Sequence, residues 1–170
     1  PFLDHVETTA QKIGAINTIV AEKGELTGYN TDATGALRAL KMGGVALTGK
    51  RIVVLGSGGA ARAIAFALAA ESGAGKLTLL GIEDVERTRL AQDIRSTTVV
   101  TVEDSYLDES TLRRVLPAAH ILIHCTPVGM SPKVEATCVP ASLLHPDLAV
   151  MDIVYNPLET RLLKDAKHAG

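Results

Sequence analysis

Residues 53–63 read VVLGSGGAARA: apolar residues run straight into a glycine cluster, followed by alanines and an arginine. Gly56, Ser57, Gly58, Gly59, Ala60 and Ala61 fit the spacing G-x-G-x-x-[G/A]. Placed between a strand and a helix, such a loop binds a dinucleotide diphosphate. Gly56 would permit the tight turn, Gly58 would let backbone N–H groups approach the anion, and Ala61 would let the helix pack closely on the strand. The unpaired amides of the first helical turn, and the helix dipole, then face the diphosphate. The same residues also fit a strand–helix turn with no ligand, since alanine-rich helices match the pattern by chance.

In folds of this kind an acid after the second strand reads the adenosine ribose. That place falls to Glu83, farther from Gly56 than the roughly 20 positions that are usual. A carboxylate there accepts hydrogen bonds from a free 2′-hydroxyl and repels a 2′-phosphate. Neither Lys nor Arg occurs between Lys76 and Arg87, which favours NAD over NADP. Glu83 and Asp84 suit equally well the capping of the next helix.

A loop of this type needs a sheet and a helix to hold it. From Lys50 onward the chain alternates in character. Strands are predicted at 51–56, 76–81, 97–102, 120–125 and 148–154, short, β-branched and apolar on both faces, as buried parallel strands are. Helices are predicted at 59–72, 85–95, 109–116 and 159–168. The alternation predicts right-handed βαβ units and an α/β fold, a Rossmann-like doubly wound parallel sheet. Ahead of it, residues 4–13 read as a helix stopped by Gly14, residues 15–20 as a strand, and residues 21–28 as a hairpin turn. A further helix runs from an N-cap at Thr31 or Asp32 to Gly43-Gly44.

The composition narrows the function. The chain has 170 residues, 46% hydrophobic and 21% charged, enough for a core, but with 3% aromatics and no Trp that core must be aliphatic. A formal net charge of −2 gives no broad attraction to nucleic acid or to an anionic membrane. No apolar run approaches the roughly 18 residues that cross a bilayer, and no signal peptide is expected. Cys125 and Cys138 lack metal-ligand spacing, so no metal is expected, and free thiols fit a cytoplasmic setting.

Five short segments carry a resemblance: GAINTIV (14–20), GYNTDATG (28–35), GSGGAARA (56–63), TPVGM (126–130) and DIVYNPLETRLL (152–163). Together, in this order, they resemble the shikimate dehydrogenase family, which includes quinate/shikimate dehydrogenases, segments of fused multi-enzyme chains and non-catalytic regulatory relatives. The resemblance implies two lobes. Residues 1–35 correspond to a remnant of the α/β substrate lobe, 36–154 to a crossing helix and a Rossmann domain, and 155–170 to the start of a return to the first lobe. It implies reversible hydride transfer between NADP or NAD and 3-dehydroshikimate, a small-molecule substrate, in the shikimate pathway. A homodimer is a further expectation, through apolar surface around residues 13–20.

The resemblance also implies roles. Asp32 corresponds to the carboxylate of the catalytic Lys–Asp pair and Asn17 to the residue that holds substrate hydroxyls. Tyr155 corresponds to a tyrosine near the substrate carboxylate. Thr126, Val128, Gly129 and Met130 correspond to the loop beside the nicotinamide. Each has a plain structural alternative: an N-cap for Asp32, a backbone-satisfying turn for Asn17, packing for Tyr155, core filling for Met130. His124 is expected to pack against the sheet end, where the family has Asn, and Cys125 to be an inert buried thiol. Ile82 stands where NADP-dependent members carry arginine, while Arg62, in the loop's first helical turn, remains available to a phosphate. The family's catalytic lysine would lie before Pro1, so the chain is expected to be a fragment that is inactive by itself.

Overall fold

The computed structural model describes residues 2–170; Pro1, the first residue of the expected substrate-lobe remnant, lies outside them. The strands fall into two sheets. The smaller joins β1 (His5–Val6), β2 (Thr18–Glu22) and β3 (Glu25–Tyr29) in the order β1-β3-β2. β2 and β3 form an antiparallel hairpin, and β1 lies parallel to β3. Between β1 and β2 sits a short helix, α1 (Thr8–Ile13). It starts later than expected because His5 and Val6 are drawn into pairing with Thr27 and Gly28. The Glu7 carboxylate caps it by accepting N–H bonds from Thr9 and Ala10, and Gly14 ends it at φ 72°.

The crossing helix α2 (Thr31–Met42) is capped by neither Thr31 nor Asp32 but by Asn30. The Asn30 side chain accepts from the Asp32 and Ala33 N–H groups and donates to the Ala15 carbonyl, so one buried amide fixes both the helix start and the chain entering β2.

The larger sheet joins β4 (Arg51–Leu55), β5 (Lys76–Gly81), β6 (Thr101–Tyr106), β7 (Ile121–His124) and β8 (Ala149–Asp152). Its order is β6-β5-β4-β7-β8 and every pair is parallel. α3 (Gly59–Glu71) and α4 (Asp84–Thr97) cover one face with α2, burying Ile52, Val54, Leu77 and Leu79. α5 (Glu109–Val115) and α6 (Arg161–His168) cover the other, over Val53, Leu55, Leu80 and Leu122. Neighbouring residues of a strand thus point into different cores, which is why the inner strands β4, β5 and β7 are apolar over most of their length, whereas the edge strand β6 carries Glu103, Asp104 and Ser105. The architecture is the expected Rossmann-like doubly wound sheet.

One strand lies later than predicted. The run Thr97-Thr98-Val99-Val100 reads as β, yet Thr97 belongs to α4, and the hydroxyls of Thr97 and Thr98 donate back to the carbonyls of Asp93 and Ile94. This back-bonding lets β-branched residues finish a helix. The strand forms only from Thr101.

Arg62 also differs from expectation. It turns away from the glycine loop, donating to the Ile13 carbonyl and, at 2.7 Å, to Asp93, with its guanidinium 5.0 Å from the centre of the Phe66 ring. It therefore ties α1 to α3 and α4. Replacing it with Ala is expected to destabilise the fold by about 1–2 kcal/mol. Hydrogen exchange should show the largest loss of protection in α1, and uniform loss across the large sheet would contradict this role.

Candidate functional site

The strand order reverses between β4 and β7, and the chains leaving these two strands diverge to opposite sides of the sheet. Open α/β sheets bind ligands at such switch points, beyond the carboxyl ends of the strands. A cleft of about 430 Å³ opens there. Gly56, Ser57 and Gly58 line it from the β4 side, Thr126, Pro127 and Val128 from the β7 side, and Glu83 from beyond β5.

The loop leaving β4 is bare by necessity. Gly56 has φ 108°, and a Cβ there would lie 2.7 Å from the Cys125 carbonyl oxygen. Gly58 is the N-cap of α3 and offers no side chain to its first amides. A Cβ on Gly58 or Gly59 would meet nothing within 4 Å, so this backbone is open on its outer side. Uncapped amides at a helix start, next to such space, fit a diphosphate. Ala60 is half-buried, and Ala61 is wholly buried in the core, where it brings α3 onto the sheet.

At the other end Glu83 holds the N-cap position of α4, but its carboxylate makes no cap hydrogen bond. The cleft wall here also carries Glu86, Asp108 and Glu109. Asp108 caps α5 through the Thr111 N–H at 2.7 Å, which holds its carboxyl below the usual carboxylate range. The nearby cation, Arg87, is buried and turned inward onto the Gly81 carbonyl, Asp84 and Asp104. No Lys or Arg lines the cleft among the described residues.

In the loop leaving β7, Thr126 and Val128 line the cleft, whereas Gly129 and Met130 do not. Gly129 is buried in the turn at φ 88°, and Met130 is 42% exposed. The loop is tied to the chain after β8 by the Ser131 N–H, which donates to the Asn156 carbonyl at 3.0 Å. Tyr155, in that chain, is 81% exposed and is not packing.

Asn17 does satisfy a turn: its Oδ1 accepts from the Thr18 hydroxyl and from the Thr31 N–H and hydroxyl. Its Nδ2 has no partner among the described residues. Asp32, in the first turn of α2, likewise has a carboxylate without a hydrogen-bond partner among them. The charges of Asp152 and Asp32 both reach the Cys125 thiol, which burial first and these carboxylates second push up to about 12. Cys125 is thus inert, and Asp32 stands near the point where β7 meets the loop.

Sequence reasoning did not find a role for the pair His124 and Asp152. The β7–β8 register sets them side by side, their side chains are buried, and His124 Nδ1 lies 2.9 Å from Asp152 Oδ1. Only the apolar run ending in a histidine, and a second run ending in an aspartate, could have signalled it. Burial opposes charge on both groups. On His124 the hydrogen bond to Asp152, with contacts to Cys138, outweighs it and raises the imidazole to about 9. On Asp152 the His124, Val154 and Thr160 hydrogen bonds outweigh it and hold the carboxyl below its usual range.

A raised His124 stabilises the fold fully below its unfolded value of 6.5, and that contribution is lost as pH climbs to about 9. Asp152 contributes above the unfolded carboxylate value and loses its contribution in acid. Urea unfolding is therefore expected to show a lower midpoint at pH 9 than at pH 6. A flat profile over that interval would contradict the pairing.

No family model matches the chain. It is 48% identical over 163 residues to the NADP(+) shikimate dehydrogenase of Methanosarcina barkeri, covering 95% of this chain and 57% of that protein. Among solved structures it is similar to the shikimate 5-dehydrogenase of Listeria monocytogenes in complex with shikimate and NAD, at 36% identity and a TM-score of 0.89. That match covers 99% of this chain and 60% of that one. The quinate dehydrogenase of Corynebacterium glutamicum in complex with NAD matches at 33% identity and a TM-score of 0.88, over 100% of this chain and 60% of its own. The chain therefore spans a little under three fifths of the length of the curated relatives it matches. On these identities and coverages the chain belongs to the shikimate dehydrogenase family.

Proposed function

We propose that the cleft binds a nicotinamide dinucleotide and that the whole protein is a shikimate dehydrogenase, interconverting 3-dehydroshikimate and shikimate in aromatic amino-acid biosynthesis. The observation that carries this reading is the uncapped start of α3 behind Gly56, open to the cleft at the switch point. Gly56, Ser57, Gly58, Gly59 and Ala60 hold the diphosphate with backbone groups, while Ala61 sets the helix close to the sheet. Thr126 and Val128 face the nicotinamide end, with Gly129 and Met130 shaping the turn behind them. When bound, the nicotinamide supplies or accepts the hydride.

The chain's own residues manage the substrate. The unpartnered Nδ2 of Asn17 is placed to donate to a substrate hydroxyl, since its Oδ1 is occupied. The exposed Tyr155 offers its hydroxyl to the substrate carboxylate. The Asp32 carboxylate, free of the cap, orients the proton-carrying group that serves the alcohol oxygen and favours its charged form. In this reading residues up to 35 belong to the substrate lobe, residues 36–154 to the crossing helix and cofactor lobe, and residues 155–170 begin the return.

We infer a preference for NAD. The cleft's outer wall carries four carboxylates, and Arg87 is occupied elsewhere. A 2′-phosphate there would meet like charge, whereas a free 2′-hydroxyl can donate to Glu83. Self-association is supported only by exposed apolar residues on and beside the small sheet: Ile16, Ile19 and Val20. A cytoplasmic setting is supported by the two free cysteines. No helix is long and apolar enough to cross a membrane among the described residues.

Calorimetric titration of the chain should give at least a ten-fold tighter Kd for NAD than for NADP, with Glu83→Gln narrowing the gap. Equal affinities would overturn the preference, and no affinity for either would overturn the cofactor reading. In the whole protein, assayed with shikimate and with quinate, Asp32→Asn should lower kcat about 100-fold while leaving the NAD Kd unchanged. An unaltered kcat would remove Asp32 from the chemistry.

A further inference from the structure

Behind the nicotinamide-side loop runs a buried chain of polar side chains that the cofactor reading leaves unused. It begins at the start of α6, where the Thr160 hydroxyl oxygen accepts from the Leu163 N–H and its hydrogen is given to Asp152 Oδ2 at 2.7 Å. Asp152 Oδ1 accepts from the Val154 N–H at 3.0 Å and from His124 Nδ1 at 2.9 Å. His124 Nε2 lies 2.5 Å from the Thr126 hydroxyl, which also accepts from the Val128 N–H at 3.3 Å. Thr126 and Val128 line the cleft.

Counting hydrogens decides what this chain can do. A carboxylate only accepts, so His124 Nδ1 carries a hydrogen and gives it to Asp152. Nε2 then has two states. Bare, it takes the Thr126 hydroxyl hydrogen, which points inward. Protonated, it donates to the hydroxyl oxygen, whose two lone pairs are then filled by Nε2–H and the Val128 N–H. The hydroxyl hydrogen is left over, and the side still open to it is the cleft.

We propose that the His124–Asp152 pair orients the Thr126 hydroxyl so that its hydrogen is offered to an acceptor oxygen of the dinucleotide. This rests on the dinucleotide reading of the cleft. His124 is a positioning residue, acting through Thr126. The titratable groups around it are Asp152 from β8, Cys138 from the segment before Pro140, and the neutral thiol of Cys125 next in the chain. Leu55 of β4 and Thr160 of α6 bring no charge. With the ring protonated up to about 9, the donating state holds at neutral pH and is lost in base.

NADH, which survives alkaline solution, is titrated calorimetrically into the chain from pH 7 to pH 10. Affinity is expected to fall about three- to ten-fold through pH 9, the worth of one hydrogen bond. Thr126→Val should bind more weakly at pH 7 by a similar factor and show a flat profile, and Thr126→Ser should restore both affinity and slope. His124→Gln should also be flat. If that variant fails to fold, the Thr126 pair and 15N NMR of the native ring, expected to show both nitrogens protonated at pH 7, decide the matter. A bare Nε2 at pH 7, or Thr126→Val with the native profile, would overturn the proposal. NADH binding with a flat native profile would overturn this proposal alone, whereas no NADH binding would overturn the cofactor reading and this proposal with it.

Discussion

The carboxyl edge of the large sheet is organised by the close approach of Gly56 to the Cys125 carbonyl. The parallel pairing of β4 with β7 brings these two chain exits together, with Leu55 opposite His124. There is no room for a side chain between them, and the turn needs a left-handed φ. The constraint has two results. β4 can turn at once into α3, placing the first amides of that helix at the cleft floor. The loop after β7 is also held directly beside those amides.

Electrostatics then divides the cleft into unlike regions. The start of α3 offers partial positive charge without any side-chain cation, because Arg62 faces the opposite way. The region beyond β5 is acidic, and the loop after β7 backs onto a buried imidazole paired with a carboxylate. The cleft thus presents dipoles and hydrogen-bond donors at its centre and carboxylates at its outer wall.

Much of this was legible in the residues, for identifiable reasons. The large sheet announced itself through short apolar runs, and the glycine loop through its spacing and its place between a strand and a helix. What stayed hidden depended on partners distant in the chain. Asn30, rather than Asp32, caps α2 because Ala15 supplies the third partner its amide needs. Thr97 and Thr98 finish a helix because their hydroxyls find carbonyls one turn back. Arg62 is claimed by Ile13 and Asp93, and His124 by Asp152, contacts that only the packed structure creates. Local propensity sees none of these, since each is set by what lies across the fold rather than along it.

Arg62 also bears on the order in which the molecule assembles. α1 is six residues long, far below the length at which an isolated helix persists in water. Its final turn ends on a carbonyl whose partner is a guanidinium from α3, itself braced by α4 and by the Phe66 ring. The last turn of α1 therefore has its terminal carbonyl satisfied only once α3 and α4 are packed beside it, so this short helix borrows its C-terminal anchor from the larger lobe.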